Sequence, residues 1–289
     1  MDGFIFVNKE VGCSSYDVIR KLKRILGMKK MGHIGTLDPL ASGLMIICLG
    51  KATKFANLFD SHYKFYEMVV ALGFETDTLD LAGKVVKRGR SSVTLEEIER
   101  ALSKFANGYN QIPPKFSAVK YQGKRAYKLA ANGKEFELGA KRVEIKDLQF
   151  KTLGSEYIHI RAAVSKGTYL RSLARDISHE IGSFGTALAI SRTEIGPYSI
   201  DDSFSLDQIR EMVENNYHEY VKPLDTFFTF EEVDLSEDER WKYINGVKIK
   251  RDKDDGLYRI MFNCSFIGYG KIDNNLLQLY KFMVKCSVK

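Results

Sequence analysis

The segment that decides the fold is Gly32-His33-Ile34-Gly35-Thr36-Leu37-Asp38-Pro39-Leu40-Ala41-Ser42-Gly43, running straight into Leu44-Met45-Ile46-Ile47-Cys48-Leu49-Gly50. Its first part places three glycines and a proline within twelve residues, which prescribes an unusual backbone path. Pro39 steers Asp38 away from helical backbone. The second part is a short unbroken apolar run, the signature of a buried strand. An Asp held in an extended turn at the mouth of a buried strand is placed to project its carboxylate into a cleft. The plainer alternative is a structural Asx turn, and for an isolated Asp-Pro that alternative would prevail.

Outward from this segment, strands and helices interleave irregularly. Phe4–Val7 reads as a short strand. Ser14-Ser15-Tyr16-Asp17 opens a helix by capping-box logic, with Val18, Ile19, Leu22, Ile25 and Leu26 as its apolar stripe. Residues 32–43 read as a loop and 51–59 as a short helix. From Lys64 to Gly73 the pattern alternates, placing Tyr66, Met68, Val70 and Leu72 on one face. Thr94 and Glu97 cap another helix, with Leu95, Ile98, Leu102 and Phe105 expected inward. A strand with Ile158, Ile160, Ala162 and Val164 on one face leads at once into a helix carrying Leu170, Leu173, Ala174, Ile177 and Ile181. No clean βαβ repeat emerges, so a mixed α+β domain is expected rather than a doubly wound one. Near residue 230 the texture changes to short strands punctuated by Gly246, Gly256, Gly268 and Gly270, with almost no helix. That pattern predicts a small β-barrel or pseudo-barrel behind a boundary at 230–236.

The bulk numbers are those of a globular protein: 289 residues, 44% hydrophobic and 28% charged. No run approaches the ~18 apolar residues of a membrane helix, and the N-terminus lacks a signal-peptide pattern. The expectation is a cytoplasmic protein with no membrane partner. Cys13, Cys48, Cys264 and Cys286 form no CxxC and are expected as reduced thiols. The net charge of +7 is compatible with nucleic acid without demanding it. Its distribution says more. Six Lys/Arg and no acid lie between Asp17 and Asp38, and seven Lys/Arg and no acid lie from Ala101 to Lys134. A polyanion touching both segments would explain the missing carboxylates; two solvated faces are the alternative.

Several chemistries are excluded. The five histidines lie far apart, and no Cys/His spacing fits zinc. Walker A, GxGxxG and nucleophile-elbow patterns are absent. Glu75-Thr76-Asp77-Thr78-Leu79-Asp80 lacks the loop length and the terminal Glu of an EF-hand. Ser165-Lys166-Gly167-Thr168-Tyr169-Leu170-Arg171 joins a strand to a helix, which suits phosphate contact through backbone N–H groups and the lysine. Arg171 then sits in the first helical turn, where the helix dipole disfavours a cation. A carboxylate partner would remove that objection, and a catalytic Asp would be one. Otherwise Arg171 is a surface residue.

Three segments in this order, GHIGTLDPLASG (32–43), PPKFSAVKYQGKRAYKLAANG (113–133) and SKGTYLRSL (165–173), resemble the TruB family of tRNA pseudouridine synthases. The likeness runs from Phe4 to about Thr229. The segment from Leu257 to Ile272, with FIGYGKI, is similar to the PUA RNA-binding module that closes many members. The resemblance implies a largely antiparallel catalytic domain over 1–232 and a β-barrel-like PUA domain over 233–289. It implies isomerisation of the T-loop uridine at tRNA position 55, without metal or cofactor. By motif, Asp38 resembles the catalytic aspartate, Tyr66 the tyrosine that stacks on the target base, and Arg171 the arginine that pairs with the aspartate. Lys166 and Tyr169 match site residues of the SKGTY motif, and His33 the histidine that inserts into the T-loop. Lys9 and Arg192 match basic residues near the site, and Ile190 an apolar pocket position. Where the family usually has Lys-Pro, this chain has Lys9-Glu10, and the acid beside Lys9 is a departure.

Such an enzyme must extrude a base from a folded loop and receive it on an aromatic face. Three routes stand open for Asp38: attack at ribose C1′, removal of a C2′ proton to give a glycal, or attack at C6. Each needs an ionised carboxylate in a dry pocket, which a neighbouring guanidinium favours. The expected partner is the T-arm of tRNA, bound by a monomer with no obligatory protein partner. Two rival readings are a guide-RNA-dependent synthase working inside an assembly and a non-catalytic chaperone of the tRNA elbow.

Overall fold

A computed structural model describes residues 1–282. Its centre is a nine-stranded mixed sheet. Strand Ser42–Leu49 is its spine. Every residue from Gly43 to Leu49 is buried, as the apolar run demands. It pairs antiparallel with Gly3–Lys9 on one side. On the other side it meets Gly185–Ile195 in a short parallel contact, Ser191 opposite Ser42 and Arg192 opposite Gly43. That strand runs antiparallel to Lys64–Leu72, which pairs in turn with Tyr157–Val164 and, beyond it, Ile145–Thr152.

The parallel contact explains one glycine. Gly43 has φ +106°, and a Cβ there would stand 2.3 Å from the carbonyl oxygen of Arg192. Only a residue without a side chain lets the two strands approach so closely.

Helix Ser15–Ile25 begins with a full capping box between Ser14 and Asp17 and buries Val18, Ile19 and Leu22. Helix Leu170–Glu180 buries Leu173, Ala174 and Ile177 against the same core. Lys64–Leu72 alternates as the sequence predicts, with Tyr66, Met68 and Val70 buried. Three local expectations need correction. The loop expected from Gly32 begins with an edge strand, Met31–Ile34, because its backbone pairs with Ser42–Leu49. The short helix expected over 51–59 is a 3₁₀ helix, Gly50–Phe59. Leu95, expected inward, is 51% exposed, since it is the first helical residue after the Thr94 cap, whereas Ile98, Leu102 and Phe105 are buried.

Beyond residue 230 a second sheet of five strands forms, in the order Glu232–Asp234, Gly256–Phe262, Ser265–Asp273, Leu276–Phe282 and Ile249–Lys250. It also carries a helix, Glu237–Ile244, which the glycine-punctuated reading missed. The signal was present: Ser236 and Glu239 make a capping box. The sheet docks onto the main body through Tyr269. Its ring lies 5.1 Å from Phe55 and 5.8 Å from Phe228, and its hydroxyl donates to the Leu224 carbonyl at 2.8 Å. Cys13, Cys48 and Cys264 are free thiols, and Cys286 lies outside the described residues. No helix among the described residues is long and apolar enough to cross a membrane.

Candidate active site

The turn that carries Asp38 is clamped on both sides. Ser15 Oγ, buried at the start of the first helix, accepts from the Leu37 N–H at 2.8 Å and donates to the Leu37 carbonyl at 2.9 Å. On the other side the Gly12 N–H donates to the Pro39 carbonyl at 2.8 Å. Between the clamps the Asp38 side chain is 39% exposed and opens into a cavity of about 770 Å³. That volume is typical of a small-molecule or nucleotide site.

Behind Asp38 stands Arg171, only 4% exposed. Its Nε donates to Asp38 Oδ2 at 2.8 Å, its Nη1 to the Thr78 carbonyl at 2.8 Å and its Nη2 to the Phe116 carbonyl at 3.1 Å. Nη1 also lies 3.4 Å from Asp80 Oδ2. Two carboxylates and two carbonyls therefore surround one guanidinium. They offset the cost of a buried cation at a helix N-terminus. Asp80 is itself fixed, accepting from Thr78 Oγ1 at 2.6 Å and the Ala82 N–H at 3.0 Å. The sequence reading weighed this acidic segment only as a cation site. Its acid enrichment was the available signal, but nothing local pointed to an arginine 91 positions away.

The wall beside Asp38 comes from paired strands. Tyr66, 7% exposed, sits in register with Ala162 on one neighbour and Arg192 on the other. Arg192 is wholly buried. Its Nη1 donates to the Tyr66 hydroxyl at 3.3 Å, its Nε to the Leu44 carbonyl at 2.7 Å and its Nη2 to the Gly35 carbonyl at 3.0 Å. Arg192 thus ties the glycine turn, the spine strand and the tyrosine into one unit. Ile190 faces the same cavity from the same strand. His33 Nε2 lies 3.3 Å from Thr36 Oγ1 at the rim. Burial, helped by the Arg192 charge, lowers the pKa of its imidazole.

The 165–171 segment closes the opposite side. Lys166 pairs with Asp60 at 2.6 Å rather than pointing free into the cavity. The Tyr169 N–H donates to Gln111 Oε1 at 2.8 Å, and Gln111 Nε2 donates back to the Tyr169 carbonyl at 3.1 Å. One backbone N–H at this helix start, that of Tyr169, is therefore taken by a buried glutamine. Burial raises the pKa of the Tyr169 phenol. Ser117 Oγ lies beside that phenol without a hydrogen bond of ordinary geometry.

Seven of the nine residues singled out by sequence line this cavity: His33, Asp38, Tyr66, Lys166, Tyr169, Ile190 and Arg192. Arg171 backs it through Asp38. Lys9 acts from further off. It is 1% exposed, and its ammonium donates to the main-chain carbonyls of Glu10 at 2.9 Å and Cys13 at 2.7 Å. Lys9 thereby organises the loop that holds Pro39. It meets the backbone of Glu10, and the acid side chain is exposed. Sequence reasoning missed Asp80 and Gln111, and also Lys64, Phe116, Ser117 and Tyr127 of the cavity wall.

The arrangement offers a carboxylate with a fixed cationic partner, an aromatic face and an apolar floor. It can hold a planar base while a carboxylate acts on an adjacent carbon.

Comparison with known proteins agrees. The family model for TruB family pseudouridylate synthase (N terminal domain) matches residues 23–170. A tRNA pseudouridine synthase B of Fusobacterium nucleatum is 41% identical over 98% of this chain and the whole of that protein. One from Aquifex aeolicus is 35% identical, again over 98% and the whole length. Among solved structures, a chain of an H/ACA RNP bound to a substrate RNA containing 2′-deoxyuridine shares the fold, with a TM-score of 0.70 at 19% identity. That alignment covers 99% of this chain and 86% of the other. The chain belongs to the TruB family of pseudouridylate synthases.

Proposed function

We propose that this chain converts the T-loop uridine at tRNA position 55 to pseudouridine, with Asp38 as the catalytic carboxylate. The observation that carries the reading is the Arg171–Asp38 pair opening onto a cavity walled by Tyr66. The curated relatives are tRNA pseudouridine synthases along their full length, which supports tRNA as substrate. Net chemistry is an isomerisation. The C1′–N1 bond breaks, the uracil turns, a C1′–C5 bond forms, C5 loses its proton and N1 gains one. The flipped base stacks on Tyr66, a contact worth roughly 1–3 kcal/mol. His33 fills the gap left in the loop, and Lys166, Tyr169, Ile190, Arg192 and Lys9 bind or brace the nucleotide.

Affinity comes from exposed Lys21, Arg24, Lys29 and Lys30 around the first helix, and from Lys115, Lys120, Lys124, Arg125 and Lys128 of the insert. A PUA-like RNA-binding module over 233–289 adds to it, behind a catalytic domain over 1–232; residues 283–289 of that module lie outside the described ones. The enzyme works as a monomer on cytoplasmic tRNA without a protein partner.

The test is pseudouridine mapping on a T-arm stem-loop incubated with the purified chain alone. Wild type forms pseudouridine. Asp38→Asn forms none but binds RNA with a Kd within a few-fold of wild type. A guide-dependent enzyme would be inactive in this mixture, and a pure chaperone would be indifferent to Asp38.

A further inference from the structure

The cavity holds a cation that the chemistry above does not use. Lys64 opens the strand Lys64–Leu72 and is only 7% exposed, yet it lines the cavity. Its aliphatic stem packs against Gly35. A Cβ at Gly35 would stand 3.1 Å from Lys64 Cε and 3.0 Å from Arg192 Nη1, so the glycine turn brings the two cations together. Among the described residues Lys64 Nζ has no hydrogen bond and no ion pair.

The surrounding charges sharpen the point. Arg192 and Lys166 both act against the Lys64 ammonium, and Asp60 favours it. Asp60, however, gives its carboxylate to Lys166 at 2.6 Å. Arg192 bonds to two carbonyls and a phenol, which leave its charge uncancelled. Three cations thus face one carboxylate. The Lys64 stem is buried while its ammonium opens onto the cavity without a protein partner, and an arriving anion would pair with it.

RNA supplies one kind of anion, the phosphodiester. Lys64 also stands in the right place. It and Tyr66 project from the same face of one strand, about 6.7 Å apart. A base lying on the Tyr66 ring carries its own phosphodiesters past the start of that strand. We propose that Lys64 is the seat of one of the two phosphodiesters flanking the flipped uridine, with Lys166 released from Asp60 as the second cation. This rests on the RNA-modifying reading above and adds a specific anion subsite to it.

The experiment measures Kd for T-arm stem-loops in which either linkage flanking the target uridine is a neutral methylphosphonate, against matched 2′-deoxy phosphodiester controls. With wild-type protein, neutralising one of the two linkages weakens binding by roughly tenfold or more. Lys64→Met weakens the control RNA by a similar factor, and Lys64→Arg recovers part of it. Lys64→Met combined with the sensitive linkage is no worse than either alone, because both remove one contact. Lys64→Met also melts close to the wild-type temperature, so that a weaker Kd reports a lost contact and not a lost fold.

Additive losses, or a Lys64→Met protein with wild-type Kd, would overturn the proposal. So would a wild-type protein indifferent to both neutral linkages, and that arm requires no variant to fold. Failure of wild type to form pseudouridine in unmodified RNA would instead sink the functional reading, leaving the binding comparison to judge the subsite.

Discussion

Asp38 and Arg171, 133 positions apart in sequence, meet at 2.8 Å with the arginine buried and the aspartate facing the cavity. The pair is asymmetric. Arg171 is held from behind by Asp80, Thr78 and Phe116, so its geometry does not depend on Asp38. The carboxylate is presented by a guanidinium already fixed in place, which is the preorganisation that electrostatic catalysis requires.

Arg171→Ala leaves Asp80 buried without its cation. Breaking a buried pair in this way costs roughly 3–5 kcal/mol of stability. Turnover on a T-arm stem-loop should fall by about a hundredfold or more. Adding Asp80→Asn should not lower turnover further, because both changes act on one network. Thermal unfolding and single-turnover rates check this, and near-normal turnover in Arg171→Ala would remove the role assigned to it.

Gly43→Ala tests the parallel crossing. Its φ of +106° and the 2.3 Å approach to the Arg192 carbonyl leave no room for a methyl group. The strands must separate, at a cost of about 2–4 kcal/mol. Urea denaturation measures it. Since Arg192 braces Tyr66, activity should fall at temperatures where the variant is still folded.

Tyr66 separates a ring from a hydroxyl. Tyr66→Phe keeps the stacking face and loses only the 3.3 Å bond to Arg192. Tyr66→Leu loses the face, worth roughly 1–3 kcal/mol of base stacking. The expected order of kcat/KM is wild type, then Phe, then Leu. Equal activity in Phe and Leu would show that the base does not rest on this ring.

His33 gives a pH signature. Burial and the Arg192 charge lower its folded pKa below the ordinary 6.5, so folding favours the neutral imidazole. Its contribution to stability is complete above pH ~6.5 and is lost as pH falls from there towards the folded value. In His33→Gln that slope should shrink to the part left by His62, whose imidazole is likewise lowered by burial and the Lys64 charge, while the acid limb set by carboxylates remains. Denaturation midpoints between pH 5 and 8, an order-of-magnitude window for an imidazole, decide it.

The sequence by itself determined the elements and the reactive turn. Capping boxes at Ser14 and Thr94, the alternation of Lys64–Leu72 and the apolar run at 44–49 are local patterns, and local backbone preferences answer to them. The three motifs were legible because their order and composition are specific, and seven of their residues and neighbours do share one cavity. Tertiary structure alone decided what each charge meets. Asp80 looked like an acidic loop and serves as the back of Arg171. Gln111 drew no notice in the sequence and holds the Tyr169 backbone at the helix start. Lys64 looked like the first residue of an alternating strand and stands unpartnered beside Arg192. Coulomb and hydrogen-bond partners are chosen across strand pairings that bring distant positions together, and no local pattern encodes which positions those will be.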